Sequence, residues 1–378
     1  MTVMPERKAV IAGLELPDQP FSPSVLLEEL ELLLGNLGIA SAGSVIQRRS
    51  RPDPAFLLGK GKAEELALFC KSVGATLLVC NESLTPGQKN NLQKATGVEV
   101  WDRPFVIMKI FELRASSSEA KMQVEMALCK YEIPHLKGLG AQMSRLGGGI
   151  GTRGPGETEF ERHRRKLERR VRDISKKLGV LKRKRTLQRD RRKKMNLPVV
   201  SLVGYTNSGK SSLLRALSRD ASLVAENRLF STLDTFMRKV RLPSGREILL
   251  SDTVGFIRDL PPGLVAAFRT TLEEIVSSAF LVFVLDVAAP DYQEVREVVE
   301  KTVQEIGGGE IPRFFALNKC DLLAPDESRA VEEKFREAGE AAVSISALSG
   351  TGLPELLATL DAFLQKTETI SREGNGDS

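Results

Sequence analysis

The segment LPVVSLVGYTNSGKSS, residues 197–212, constrains this chain more than any other. An apolar run long enough for a buried strand stops at Gly204, and a polar stretch then opens what reads as a helix. Gly204, Gly209, Lys210 and Ser211 satisfy G-x-x-x-x-G-K-[ST] in the strand-to-helix context that gives the pattern its meaning. Backbone amides of such a loop, at a helix N-terminus, surround an anion from several sides. Residues Gly204, Tyr205, Thr206, Asn207, Ser208, Gly209, Lys210, Ser211 and Ser212 are therefore expected to line a phosphate site, with Lys210 on the β and γ oxygens and Ser211 on Mg2+. The loop also implies its scaffold. Apolar strands expected at 198–203, 247–251, 280–285 and 313–317 alternate with amphipathic helices, as in a doubly wound α/β sheet. A turn at 243–245 joins MRKVRL to REILLS and predicts one antiparallel edge.

Further motifs follow in order along the chain. Asp252, Thr253, Val254 and Gly255 end an apolar strand as D-x-x-G, which puts Asp252 near the metal and the Gly255 amide at a γ-phosphate. Between the two motifs lies FSTLDT, where Phe230, Ser231, Thr232 and Leu233 are expected to approach the nucleotide. Thr232 is the metal-binding threonine of choice, with Thr235 as its rival. The NKCD segment, Asn318 to Asp321, ends the strand RFFAL and selects the base. The Asp321 carboxylate accepts from the ring N–H and amine of guanine, a donor pair that adenine lacks, so GTP is preferred to ATP. Asn318 is expected to bind the base and brace the loop, the Lys319 stem to cover the ring, and the Ser346 and Ala347 backbone to contact the guanine oxygen, with Leu348 also in the nucleotide site. Lys210, Thr232, Asp252 and Gly255 form the expected catalytic set.

Phe256 follows D-x-x-G where a glutamine commonly orients the attacking water. A phenyl ring neither donates nor accepts a hydrogen bond, so unaided hydrolysis should be slow and an external activator or a bound cation is expected. Asn207 offers an amide oxygen to a monovalent cation such as K+, or else braces the loop.

Upstream, residues 8–115 alternate apolar runs and amphipathic stretches, KAVIAGLE, SVLLEELELLLGNL, AEELALFCKSVG and ATLLVCNE, which predicts βα units on a small parallel sheet. GKGK at 59–62 either holds a phosphate or forms a tight turn with its lysines in water. Residues 116–195 are expected to form an antiparallel helical pair. Met122, Met126, Cys129 and Ile133 mark a helix beginning at Ser117–Glu119 and spanning 117–134. Phe160, Leu167, Val171, Ile174, Leu178 and Leu181 make a heptad-like stripe on a longer one. Between them, 138–156 holds eight glycines with Arg145 and Arg153 and no acid, and is expected to be an exposed loop suited to phosphate or folded RNA. The chain is thus divided into 1–115, 116–195, a nucleotide domain at 196–366, and a disordered polar tail at 367–378.

Charge sharpens the expected partner. Residues 161–194 carry 18 Lys/Arg against 4 acids, whereas the remainder has 37 basic and 45 acidic residues. Basicity confined to one helix points to a polyanion. The four scattered cysteines and two histidines suggest reduced thiols and no zinc site. No apolar run reaches the roughly 20 residues a membrane span needs, and no secretory leader is visible, so a cytoplasmic protein, expected to be a monomer, is predicted.

GGGIGTRGPGETEFE, GYTNSGKSSLL, FSTLD and DTVGFIRDLPPGLVAAFRTTLEE together resemble the HflX family of translational GTPases over nearly the whole chain. The resemblance implies an N-terminal α/β domain and a long helical pair ahead of the GTPase domain. It further implies binding to the large ribosomal subunit, hydrolysis of GTP to GDP stimulated by that subunit, splitting of ribosomes, and approach of Arg145 and Arg153 to rRNA. By the same resemblance Phe256 matches the family's hydrophobic residue, and Asn207 goes with potassium dependence in related GTPases. Many members carry a further C-terminal domain; this chain is expected to be without it, and without the contacts made through it. The alternatives are a GTP-regulated RNA-binding or protein-interaction switch that does not act on ribosomes, and an RNA-remodelling or RNA-modifying enzyme. The lack of an acid/base or Cys/His constellation outside the nucleotide motifs argues against modification chemistry.

Overall fold

The computed structural model describes residues 7–17, 19–146, 155–194, 197–218, 230, 236–259, 261, 263–264, 272 and 274–373. They fall into two units, one built mainly from residues up to Gly179 and the other from Val180 onward.

The first unit is an α/β layer followed by two long helices. Strand β1 (Lys8–Glu15) is buried along almost its full length, the mark of a strand covered on both faces. Helix α1 (Pro23–Asn36) opens on Ser22, whose hydroxyl accepts from the Val25 N–H, with proline at the first turn. Then come β2 (Ala40–Arg48), α2 (Lys60–Val73) and β3 (Leu77–Cys80). Next follow α3 (Pro86–Thr96), β4 (Glu99–Asp102) and α4 (Arg103–Arg114). The strands order as β2-β1-β3-β4, all parallel. Val10, Ala12, Leu78 and Val100 pack against Leu66 and Cys70 of α2 and Leu92 of α3.

Helix α5 (Ser118–Leu146) is longer than its apolar stripe predicts, because it runs through Pro134. Helix α6 (Pro155–Lys194) takes up the predicted heptad-like stripe, burying Ile174 and Leu178 and leaving Arg165, Arg169, Arg172 and Lys176 exposed. Glu125 of α5 and Arg170 of α6 form a two-bond pair at 2.5 and 2.7 Å. The expected loop over 138–156 is therefore shorter than its glycines suggest: 138–146 and 155–156 are helical. A glycine costs a continuing helix only about 1 kcal/mol, which neighbouring helix formers such as Ala141, Gln142 and Met143 offset. Residues 147–154 lie outside the described residues, and Arg153 with them.

The second unit alternates strands and helices. Strand β5 (Val199–Val203) leads into α7 (Lys210–Ser218), and β6 (Phe236–Arg241) pairs antiparallel with β7 (Glu247–Asp252). They are followed by β8 (Phe280–Asp286), α8 (Tyr292–Glu305), β9 (Arg313–Asn318) and α9 (Pro325–Glu337). Strand β10 (Ala342–Ser344) and α10 (Leu353–Glu373) complete the unit. The order is β10-β9-β8-β5-β7-β6, parallel except at β6. Leu202, Leu250, Val284 and Ala316 build a core with Leu213 and Leu214 of α7 and Leu356, Leu360 and Leu364 of α10. Each leucine or valine among them, fully buried, contributes about 1.5–3 kcal/mol. Helix α10 reaches Glu373, so the tail expected from residue 367 begins no earlier than 374. Once a helix is anchored by buried leucines, each added residue gains a backbone bond at little cost.

Candidate nucleotide site

The carboxyl ends of β5, β7, β8, β9 and β10 meet along one edge of the second sheet, which is where ligands sit in open α/β sheets. Gly204 follows β5, Asp252 closes β7, Asp286 closes β8, Asn318 closes β9, and Ser346 follows β10. Residues far apart in sequence are thereby brought together.

The loop from Gly204 to Ser211 is closed by its own lysine. Lys210 Nζ donates to the carbonyls of Gly204 (3.0 Å) and Tyr205 (2.6 Å), and its side chain is buried. Burial disfavours the ammonium and brings its pKa down to about 8, against the pull of the Asp252 carboxylate. Gly209 has a φ of 96°, and a Cβ there would collide with Asn318 Nδ2. Asn207 also takes a left-handed φ, 62°, and is exposed. The hydroxyls of Thr206 and Ser208 are buried with no hydrogen-bond partner among the described residues. Orphan hydroxyls in a loop of this type mark a surface built to meet a polar ligand.

Of the three expected metal donors, Ser211 and Asp252 are described and lie together. Ser211 Oγ donates to Asp252 Oδ2 at 2.6 Å, a hydroxyl and a carboxylate that suit a hard cation such as Mg2+, which P-loop GTPases use. Thr253 is turned away, donating to the Leu202 carbonyl at 2.7 Å, and Val254 is buried. Gly255 lies against the loop: a Cβ there would be 3.1 Å from Thr206 Cα and 3.2 Å from Lys210 Nζ. Phe256 is 1% exposed and faces inward. Phe230 is buried, whereas Ser231, Thr232, Leu233 and Thr235 lie outside the described residues.

At the other end, Asn318 joins three segments. Its Nδ2 donates to the Ser208 carbonyl at 2.7 Å, and its Oδ1 accepts the Ala347 N–H at 3.0 Å. That amide was expected to face a base oxygen, and here it braces the corner. Lys319, at φ 66°, pairs with Asp286 at 2.5 Å. Asp321 sits exposed in a 3-10 turn, Ser346 is buried, and Leu348 is 90% exposed. Asp286 and the buried Tyr205–Arg258 contact were missed from sequence, because each is a pairing between strand ends that no spacing announces. In the first unit, Gly59 precedes α2 at a φ of 102° and 60–62 are already helical, so GKGK opens a helix rather than forming the expected tight turn, and Lys60 and Lys62 pair with Glu64 and Glu65 along it.

Many sheets carry a phosphate loop; what narrows this one is the Asn318 corner, with Asp321 beyond it, on the same edge as Ser211 and Asp252. Fold and site together define a P-loop GTPase. Residues 199–319 match a family described as a 50S ribosome-binding GTPase, 25–112 a GTP-binding GTPase N-terminal region and 114–192 a GTP-binding GTPase middle region. The chain is 45% identical to GTPase HflX of Caldanaerobacter subterraneus, over 97% of this chain and 82% of that one. It is 38% identical to GTPase HflX of Escherichia coli, over 92% and 79%. The crystal structure of SsGBP with GDP aligns with a TM-score of 0.52 and 26% identity, over 97% and 99%. The chain belongs to the HflX family of GTPases. Among the described residues no helix is long and apolar enough to cross a membrane.

Proposed function

We propose that this GTPase binds the large ribosomal subunit, is stimulated by it, and dissociates ribosomes. The observation that carries the reading is the match of residues 199–319 to a family described by its binding to the 50S ribosome. The basic faces of α6 supply a surface suited to rRNA, and Arg145 and Arg153, from the glycine-rich segment 138–156, would add to it. Such a role places the protein in the cytoplasm, acting as a monomer.

In this reading the amides of 205–212 hold the phosphates, with Lys210 neutralising the β and γ oxygens. Ser211, Asp252 and Thr232 or Thr235 would hold Mg2+, which when bound would supply positive charge beside the β and γ phosphates. Gly255 offers its N–H to the γ-phosphate, and Asn318, Lys319 and Asp321 hold guanine. Asn207, exposed at a φ of 62°, would offer its amide oxygen to a potassium ion, whose charge, with the subunit, would offset the absence of a water-orienting side chain at Phe256.

The test is GTP turnover of the purified protein in potassium buffer, with and without large ribosomal subunits. An activator that completes the charge stabilisation should raise the rate by about 10³-fold or more. Splitting of 70S particles is then followed by sedimentation. An unchanged rate with no subunit binding would leave a GTP-regulated switch with another partner.

A further inference from the structure

Residues 204–206 and 256–258 are joined by more than the two nucleotide motifs require. Tyr205 and Phe256 form an isolated parallel bridge: the Phe256 N–H donates to the Gly204 carbonyl at 3.0 Å, and the Thr206 N–H to the Phe256 carbonyl at 2.8 Å. Beyond it, the Tyr205 hydroxyl accepts from the Arg258 backbone N–H at 2.9 Å and from Arg258 Nε at 3.1 Å. The guanidinium carbon lies 5.8 Å from the centre of the Tyr205 ring, and Arg258 Nη2 is 3.6 Å from Asp291 Oδ2. Tyr205 is 9% exposed and Arg258 6%, so these charge-assisted contacts form where water competes little. The same Tyr205 lends its carbonyl to Lys210 Nζ. One residue thus touches the phosphate lysine through its backbone and the segment after D-x-x-G through its side chain.

We propose that Tyr205, Arg258 and Asp291 form a latch that holds residues 255–258 on the phosphate loop, making Tyr205 and Arg258 positioning residues for GTP hydrolysis. The proposal rests on the assignment of Gly255 to the γ-phosphate. In the reaction, the bond from the γ-phosphorus to the bridging oxygen breaks, the water oxygen bonds to phosphorus, and the water's proton leaves with the phosphate. The latch takes no part in that exchange. It sets the height of the Gly255 N–H over the loop, and a misplacement of about 1 Å at such a point costs about a hundredfold in rate. It also seats Phe256 in the core, so the chemistry a glutamine would supply must come from outside residue 256.

The experiment uses the full chain and the variants Tyr205→Phe, Arg258→Lys and the two combined. Single-turnover GTP hydrolysis, GDP affinity and the unfolding temperature of the GDP complex are measured for each. Tyr205→Phe should slow hydrolysis about tenfold or more, the value of a hydrogen bond to a charged group, while GDP affinity stays at wild type and the unfolding temperature falls by about a few degrees, since two buried Arg258 donors lose their acceptor. The double variant should be no slower than the slower single, since both act through one contact. Wild-type hydrolysis in Tyr205→Phe, or a multiplicative double variant, would overturn the latch. So would parallel loss of affinity for GDP and for a non-hydrolysable GTP analogue, which marks a role in loop folding alone. Lys210→Ala separates the two levels: if it still binds GTP, the site assignment fails, whereas its loss of GTP beside an unaffected Tyr205→Phe sinks only the latch.

Discussion

Lys210 shows how much one residue's surroundings determine. Its amine is enclosed by the loop it closes, and burial holds its pKa at about 8, below its value in the unfolded chain. The sign follows from linkage. Between about pH 8 and 10.5 the unfolded chain binds the extra proton, so the free protein gains stability as pH rises through that window. Nucleotide reverses the balance, because phosphate oxygens favour the ammonium. Binding should therefore take up a proton above about pH 8, and GDP affinity should fall as pH rises further. Titration calorimetry at about pH 9 in two buffers of different ionisation heat measures this directly, with about neutral pH as the control that shows no uptake. Equal heats at the higher pH would mean that the lysine is already charged in the free protein. The motif announces Lys210 and Gly209 but not their environment. That Gly209 must leave room for Asn318, over a hundred residues away, is a property of the folded edge.

At the scale of elements, the buried strands β1, β3, β5, β7, β8 and β9 were the most legible part, because buried parallel strands read as apolar runs, whereas β2, β4 and β10 were not foreseen. KAVIAGLE and VVSLV needed no context. Helix α3 was harder: PGQKNNLQKAT has few apolar residues, and its boundaries are set by the Thr85–Gln88 capping box and by Gly97 at a φ of 71°. Helix α5 was misjudged at its end, since a proline inside a helix loses a backbone bond and usually stops it. Tertiary contacts carry α5 past Pro134. The Tyr131 hydroxyl donates to Asp102 Oδ1 at 2.9 Å, and the His135 ring lies 4.5 Å from that of Tyr131 and is within hydrogen-bond reach of its carbonyl. Asp102 also accepts the Leu84 and Phe105 amides, fixing α5 to the end of β4. Tyr131→Phe removes one donor from this buried carboxylate and should cost about 1–3 kcal/mol, read as faster amide exchange along α5. Exchange unchanged around Pro134 would mean that packing of the apolar stripe alone sustains the helix.

For the whole molecule, the sequence separates a nucleotide engine from a charged surface, and the two should fail independently. The exposed arginines and lysines of α6 recur every three or four residues on the side away from Ile174 and Leu178, so several can lie along one backbone of phosphates. If they do, affinity for large subunits falls steeply with salt, by about 0.7–0.9 in log K per log unit of salt for each phosphate bound. Replacing Arg165, Arg169, Arg172 and Lys176 by glutamine keeps helix propensity and removes four exposed cations. The variant should lose affinity and flatten the salt slope by about one unit for each phosphate no longer neutralised, while GDP binding, which uses none of these residues, is unchanged. Binding measured by co-sedimentation at several potassium concentrations gives the slope. A slope unaltered by all four changes would place the RNA-binding surface elsewhere on the chain and leave the outer face of α6 merely solvated.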